Sequence, residues 1–178
     1  MQLSDFEFDL LSVDHDLSEF DCDDPDINEF LKEDAIHYLN ERMANTYVFH
    51  YKNNVVAFFS ILNDCLHDKG FENGVWNRFH RKRKIPNTKR IKQYPAIKVG
   101  RLGVTKNYHG SGLAYQLMDF IKGFSLLEHK PACRLLLLDA YNKPQQLSYY
   151  ERNGFVFLND FNVNEKTRLM YYDLIQLS

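Results

Sequence analysis

The chain has 178 residues, 44% of them hydrophobic and 15% aromatic, with a net charge of −2. That is the size and composition of one globular domain with a core of its own, and residues 1–178 are expected to form a single domain. No low-complexity tract predicts disorder, and no apolar run approaches the roughly 20 residues that cross a bilayer. The acidic first eleven residues lack the basic start of a secretory leader. Cys22, Cys65 and Cys133 are scattered and form no Cys-x-x-Cys spacing, which predicts neither a disulfide framework nor a zinc site. A cytoplasmic protein with no metal and no membrane partner is expected.

The small net charge hides a strong segregation. Thirteen acids and a single Lys32 lie between Asp5 and Asp34, whereas Arg78, Arg81, Lys82, Arg83, Lys84, Lys89, Arg90 and Lys92 succeed one another with no acid among them. Two solvated faces of opposite sign would account for this. So would contact of the basic stretch, Arg78–Lys92, with a polyanion such as RNA or coenzyme phosphates.

In chain order, Phe6 to Leu11 reads as a short strand. Asp24-Pro25 opens a helix, with Asp as N-cap and Pro where its missing N–H costs nothing. Ile27, Phe30, Leu31, Ala35, Tyr38 and Leu39 supply that helix with an apolar stripe. Thr46–Tyr51 and Val55–Leu62 read as strands joined by an Asn53-Asn54 turn. The segment Asp64 to Pro95 gives no clear pattern beyond a short helix around Trp76 to Lys84. Ala96–Val104 is a strand, Thr105–Ser111 a polar turn, and Gly112–Leu127 a helix with Leu113, Leu117, Phe120, Ile121 and Phe124 on its buried side. Leu135–Leu138 is an apolar run suited to a strand covered on both faces. A helix from Lys143 to Asn153 ends at Gly154, a natural C′ residue. Strands at Phe155–Leu158 and Arg168–Leu174 complete a mixed α/β (α+β) pattern, one sheet with helices packed on it.

The segment with most chemical content is Leu102-Gly-Val-Thr-Lys-Asn-Tyr-His-Gly-Ser-Gly-Leu-Ala114. A strand enters a glycine-containing turn that leads directly into an amphipathic helix. Glycines allow close approach of a ligand to the backbone, and the first helical N–H groups and the macrodipole favour a phosphate or pyrophosphate. A plain strand-to-helix turn would look the same. A P-loop is excluded because the Gly-Lys-Ser/Thr ending is missing. The dinucleotide fingerprint is excluded because Tyr115 stands where its third Gly or Ala belongs.

Arg101-Leu-Gly-Val with Tyr108-His-Gly-Ser-Gly-Leu-Ala114 resembles the coenzyme A pyrophosphate loop of the GNAT superfamily of N-acetyltransferases. That loop reads Gln or Arg, two residues, Gly, one residue, then Gly or Ala. Gly112 and Ala114 match, and His109 stands where Gln or Arg is usual. A second block, Leu138-Asp-Ala-Tyr-Asn-Lys-Pro followed by Ser148-Tyr-Tyr-Glu-Arg-Asn-Gly-Phe155, is similar to the family's strand, Asn-containing turn, helix and Tyr-Glu-x-x-Gly-Phe ending. The two blocks cover about residues 96–158 in the family's order.

The resemblance implies a mostly antiparallel mixed sheet, splayed at its centre between Ala96–Val104 and Leu135–Tyr141, with helices on both faces. It implies acetyl-coenzyme A as cosubstrate, bound by Leu102, Gly103, Val104, His109, Gly110, Ser111, Gly112, Leu113, Ala114 and Asn142. Gly100 and Gly103 suit a strand that bulges or is closely approached, and Asn142 could equally cap the next helix. Tyr150 is implied as the general acid that protonates the departing thiolate, with Tyr149 its nearest rival. His109, Glu151 and Asp139 are available as bases, and no spacing singles one out.

Phe20-Asp-Cys, Ile27-Asn-Glu-Phe-Leu-Lys and Tyr94-Pro-Ala-Ile-Lys-Val-Gly-Arg-Leu-Gly-Val are similar to the compact bacterial branch that includes tRNA-acetylating toxins. The implied acceptor is a primary amine, either that of an aminoacyl-tRNA held through Arg78–Lys92 or that of a small molecule or protein. A homodimer is compatible with the family. A degenerate coenzyme-binding sensor or interaction module is the alternative to an enzyme.

Overall fold

The computed structural model describes residues 1–69, 73–83, 92–128, 132–159 and 163–177. Its seven strands are β1 (Glu7–Leu10), β2 (Asn45–Tyr51), β3 (Asn54–His67), β4 (Gln93–Val104), β5 (Leu135–Tyr141), β6 (Val156–Phe157) and β7 (Thr167–Asp173). They take the order β1-β2-β3-β4-β5-β7-β6 in one sheet. The pairs β1/β2, β2/β3, β5/β7 and β6/β7 are antiparallel. With four helices among the described residues, this is the mixed α/β class expected from the sequence. The chain divides into two compact units, Met1–Asn63 with Lys98–Phe124 and Asp64–Ile97 with Ser125–Ser178.

In the first unit, helix α1 starts at Pro25. The Asp24 carboxylate accepts from the N–H groups of Asp26 and Ile27, which satisfies two donors the first turn leaves orphaned. The helix passes through a π-helical turn, Phe30–Asp34, and continues as Ala35–Asn40. The wider turn rotates the last part of the helix, so Ile36 packs inward and Tyr38, expected on the stripe, is 40% exposed.

The β2–β3 turn is Lys52-Asn53, both at positive φ (49° and 67°), and Tyr51 pairs with Asn54. This is a two-residue turn of the kind whose twist matches the strands. It sits one residue earlier than the Asn53-Asn54 reading, because only one Asn is needed in it.

Strand alternation separates two apolar layers in this unit. On one face Val48, Val55 and Phe58 join Leu11, Phe20, Phe30, Leu31 and Ala35. On the other, Phe8, Phe49 and Phe59 meet Phe120 and Phe124 edge-on at centroid separations of 4.8–6.1 Å. Those two rings belong to helix α3, Leu113–Leu127, whose fully buried side is Leu113, Leu117, Met118 and Ile121.

The second unit resolves much of the Asp64–Pro95 segment. β3 runs on to His67, and helix α2 spans Asn73–Arg83, enclosing the described part of the helix expected around Trp76. β4 begins at Gln93, ahead of the expected Ala96, because Tyr94 and Ala96 point inward while Pro95 faces out. Phe79, with Trp76 against it, packs on Leu66, Tyr94, Leu135, Leu137 and Tyr171. Of the basic stretch, Arg78, Arg81 and Lys92 are exposed; the side chains of Lys82 and Arg83, and residues Lys84, Lys89 and Arg90, lie outside the described residues. No helix among the described residues is long and apolar enough to cross a membrane.

Candidate active site

The glycine turn of the first unit is held from both ends. Where β4 stops, the Thr105 N–H donates to the Val56 carbonyl at 2.8 Å, and the Lys106 N–H donates to the Asp21 carbonyl at 2.7 Å. The Thr105 hydroxyl reaches the same Asp21 carbonyl at 3.1 Å, and Lys106 Nζ lies 2.7 Å from Asp21 Oδ2. Asn28 Nδ2 donates to Asp21 Oδ1 at 2.8 Å. The bonds from Lys106, the Asp23 N–H and Asn28 hold the Asp21 carboxyl well below the usual carboxylate range, and Asp21 in turn raises Lys106. Sequence reading missed this clamp; Asp21 and Lys106 are 85 positions apart, and no local spacing signals it.

A short 3-10 turn, Lys106–Tyr108, leads to Gly110 at φ +76° and Gly112 at φ +84°. Both lie in the left-handed region that favours glycine. A Cβ at either position would have nothing within 4 Å, so neither glycine is required by crowding. The Ser111 hydroxyl donates to the Tyr108 carbonyl at 2.6 Å and accepts from the Leu113 N–H at 3.3 Å. Among the described residues, the N–H groups of Gly110 and Gly112 make no hydrogen bond. Unsatisfied donors at the head of a four-turn helix are what an anionic diphosphate requires.

Other expected coenzyme contacts are engaged within the protein. His109 Nε2 donates to the Val104 carbonyl at 2.9 Å and its Nδ1 lies 3.9 Å from Asp23 Oδ2, so the ring folds back on the strand. A Cβ at Gly103 would stand 2.9 Å from Phe58 Cε1 and 3.1 Å from Ile27 Cγ2, and one at Gly100 3.1 Å from Leu62 Cδ2. The groups that approach these glycines so closely are the protein's own core side chains. Leu102 and Val104 occupy the end of β4 and Ala114 the first turn of α3.

In the second unit, Asn142 comes directly after β5. Its Nδ2 donates to the carbonyls of Val163 (2.7 Å) and Glu165 (3.0 Å), and its N–H to that of Lys166 (3.0 Å). The N-cap of the next helix, α4 (Pro144–Arg152), is Lys143, so Asn142 is not the cap. It ties the loop before β7 to the end of β5.

Tyr150 sits in the last turn of α4. Its carbonyl accepts from the N–H groups of Asn153 (3.1 Å) and Phe155 (3.0 Å), and the Gly154 N–H donates to Glu151 (2.9 Å). With Gly154 at φ +81°, this is a Schellman ending, and it fixes the position of Tyr150 along the helix. Phe155 is buried at 1% exposure, with the Tyr150 ring 6.0 Å away edge-on and Tyr172 at 5.6 Å. Burial pushes the Tyr150 phenol up to about 12, so it stays protonated across neutral and mildly alkaline pH. Tyr149 stands beside it, rings 5.1 Å apart, and its carbonyl accepts from Asn153 Nδ2 at 2.8 Å. Glu151 and Asp139 are exposed.

A family profile described as an acetyltransferase (GNAT) domain matches residues 43–157. The chain belongs to the GNAT acetyltransferase family. No curated protein matches its sequence. Among solved structures, AtaT complexed with acetyl-methionyl-tRNAfMet is similar at 19% identity and TM-score 0.71, over 97% of this chain and 96% of that one. A Tyr-to-Phe mutant of KacT is similar at 20% identity and TM-score 0.72, over 97% and 99%. AtaTR bound with acetyl-coenzyme A matches at 19% identity and TM-score 0.69, over 97% and 95%. At these identities the likeness establishes a shared fold for this GNAT acetyltransferase.

Proposed function

We propose that residues 1–178 act as one acetyl-coenzyme A-dependent N-acetyltransferase domain whose acceptor is the amino group of an aminoacyl-tRNA. The observation that carries the reading is the pair of unengaged N–H groups at Gly110 and Gly112, two left-handed glycines just ahead of α3 with room for a ligand beside them. They would hold the coenzyme diphosphate, and the Asp21–Lys106 clamp would keep the turn in place when no ligand is bound. The amine attacks the thioester carbonyl and loses its proton to water. The C–S bond then breaks, and the thiolate takes the phenolic proton of Tyr150. Burial keeps the phenol protonated at neutral pH, so the proton is in place there for the thiolate to take.

Two facts favour an RNA acceptor over a small amine: the fold-wide similarity to AtaT in complex with an acetylated tRNA, and exposed Arg78 and Arg81 on α2. The test is thiol release from acetyl-coenzyme A with deacylated tRNA, a set of aminoacyl-tRNAs, and a panel of polyamines and lysine peptides. Acetylation of aminoacyl-tRNA, lost on reversing Arg78 and Arg81 with acetyl-coenzyme A affinity unchanged, is the expected result. Turnover on small amines alone would replace the acceptor, and tight coenzyme binding without turnover would make the protein a binding module.

A further inference from the structure

We propose that Asp9, His15 and His50 form a binding site for a divalent transition-metal ion of the nitrogen- and oxygen-preferring kind, such as Zn2+, Co2+ or Ni2+. Cysteine spacing predicts no metal, and these ligands come from three separate places in the chain that no motif joins. Asp9 lies on β1, His50 on β2, and His15 on the loop between β1 and α1. That loop is pinned to the β2–β3 turn, with the Asp16 N–H donating to the Asn53 carbonyl at 3.0 Å and the Val55 N–H to the Asp16 carbonyl at 3.4 Å. One ligand atom from each of the three residues lies within 4.8 Å of the others.

The details fit a built site better than a chance cluster. The β2 register shifts between Phe49 and His50, an irregularity of the kind that re-aims a side chain. The His50 side chain is only 4% exposed, and its Nε2 lies 2.8 Å from Asp9 Oδ2. Its Nδ1 is buried and has no hydrogen-bond partner. An ion bound here would take the place of the proton shared by His50 Nε2 and Asp9 Oδ2, two atoms already close to the separation of neighbouring ligands on one metal. The His15 ring stands edge-on to His50 at 4.8 Å and is oriented by Ser12, whose N–H and hydroxyl each lie 3.1 Å from Nδ1. Bonds of about 2.0–2.2 Å need the three donors somewhat closer together. Asp9 is exposed and His15 half-buried, so both can adjust. Two imidazoles and a carboxylate favour Zn2+, Co2+ or Ni2+ over Mg2+ or Ca2+.

An ion here would fasten the edge strand β1 to β2. Phe8, on the opposite face of β1 from Asp9, packs on Phe120 and Phe124 of α3, the helix that the glycine turn begins. The expected consequence is stabilisation of this unit in proportion to metal saturation.

The experiment uses the full chain, free of any histidine tag and stripped with a chelator, titrated calorimetrically with Zn2+ and followed by visible absorption with Co2+. One equivalent should bind, with a rise in Tm. His15→Ala and Asp9→Asn should each weaken binding at least about tenfold and leave acetyl-coenzyme A affinity unchanged. Both positions are partly or fully exposed, so the variants should fold. Absence of saturable binding to the wild type, or wild-type affinity kept in both variants, overturns the assignment. Binding abolished by alkylating Cys22, Cys65 and Cys133 instead would also overturn it.

Discussion

Asp21 and Lys106, 85 residues apart, meet at 2.7 Å, and the same aspartate's backbone carbonyl accepts from the Lys106 N–H. A single residue of the acidic N-terminal segment thus grips the start of the glycine turn through side chain and main chain together. Asp21→Asn keeps the main-chain bond and removes the charge. It should raise the KM for acetyl-coenzyme A several-fold and change kcat little. Because the folded carboxyl titrates below its ordinary value, its stabilising effect is complete above about pH 4 and is lost as pH falls further. Acid unfolding tracked by circular dichroism should therefore be less steep in the variant. An unchanged KM would mean that the turn keeps its place without the clamp.

Gly103 shows that a glycine near the expected coenzyme can be there for the core. Gly103→Ala places a methyl 2.9 Å from Phe58, itself fully buried. The overpacking should cost about 1–3 kcal/mol, read as a lower Tm. Phe58→Leu in the Gly103→Ala background should recover part of the loss, since the shorter side chain makes room. Without that recovery, backbone strain in β4 would be the cause.

The division between what the sequence told and what it hid lies along interaction range. Asp24-Pro25, the glycine turn and the Glu151-Arg-Asn-Gly-Phe155 ending are local signals, and each structure they imply was legible. The Lys52-Asn53 turn was off by one residue, because two successive asparagines offered two registers. The π turn at Phe30–Asp34 was hidden because the stripe is read at a fixed period, and it moved Tyr38 outward in favour of Ile36. The start of β4 was hidden by Pro95, which stands in its first residues and faces out. The Asp21 clamp, the two loop carbonyls held by Asn142 and the convergence of Asp9, His15 and His50 all depend on tertiary pairing that no window of sequence contains.

Tyr150 makes two predictions that separate chemistry from packing. Tyr150→Phe keeps the ring against Phe155 and removes the proton, so kcat should fall by about 10²–10⁴ with the KM for acetyl-coenzyme A little changed. The folded phenol, at about 12, is raised above the roughly 10 of an unfolded chain. Its contribution is therefore fully present below pH 10 and lost as pH rises toward 12, an effect of about 2–3 kcal/mol. Denaturant unfolding between pH 9 and pH 12 should show a shallower loss in the variant. An unaltered kcat would remove Tyr150 as the acid, and Tyr149→Phe would then be the comparison to make.

Gly112 separates backbone conformation from crowding. At φ +84°, with nothing within 4 Å of a new methyl, Gly112→Ala meets no steric neighbour and bears only the left-handed strain, about 1–2 kcal/mol. If the turn relaxes to relieve it, the N–H groups of Gly110 and Gly112 are displaced, and coenzyme A affinity should fall about 5- to 30-fold. The clamp at Asp21 and the buried side of α3 lie on either side of the substitution, so the Tm should drop only a few degrees. Calorimetry with coenzyme A and with 3′,5′-adenosine diphosphate tests the source of the loss. A weaker coenzyme with an unchanged nucleotide would place the defect at the diphosphate. Equal affinity of wild type and variant for coenzyme A would mean that these two N–H groups do not hold it.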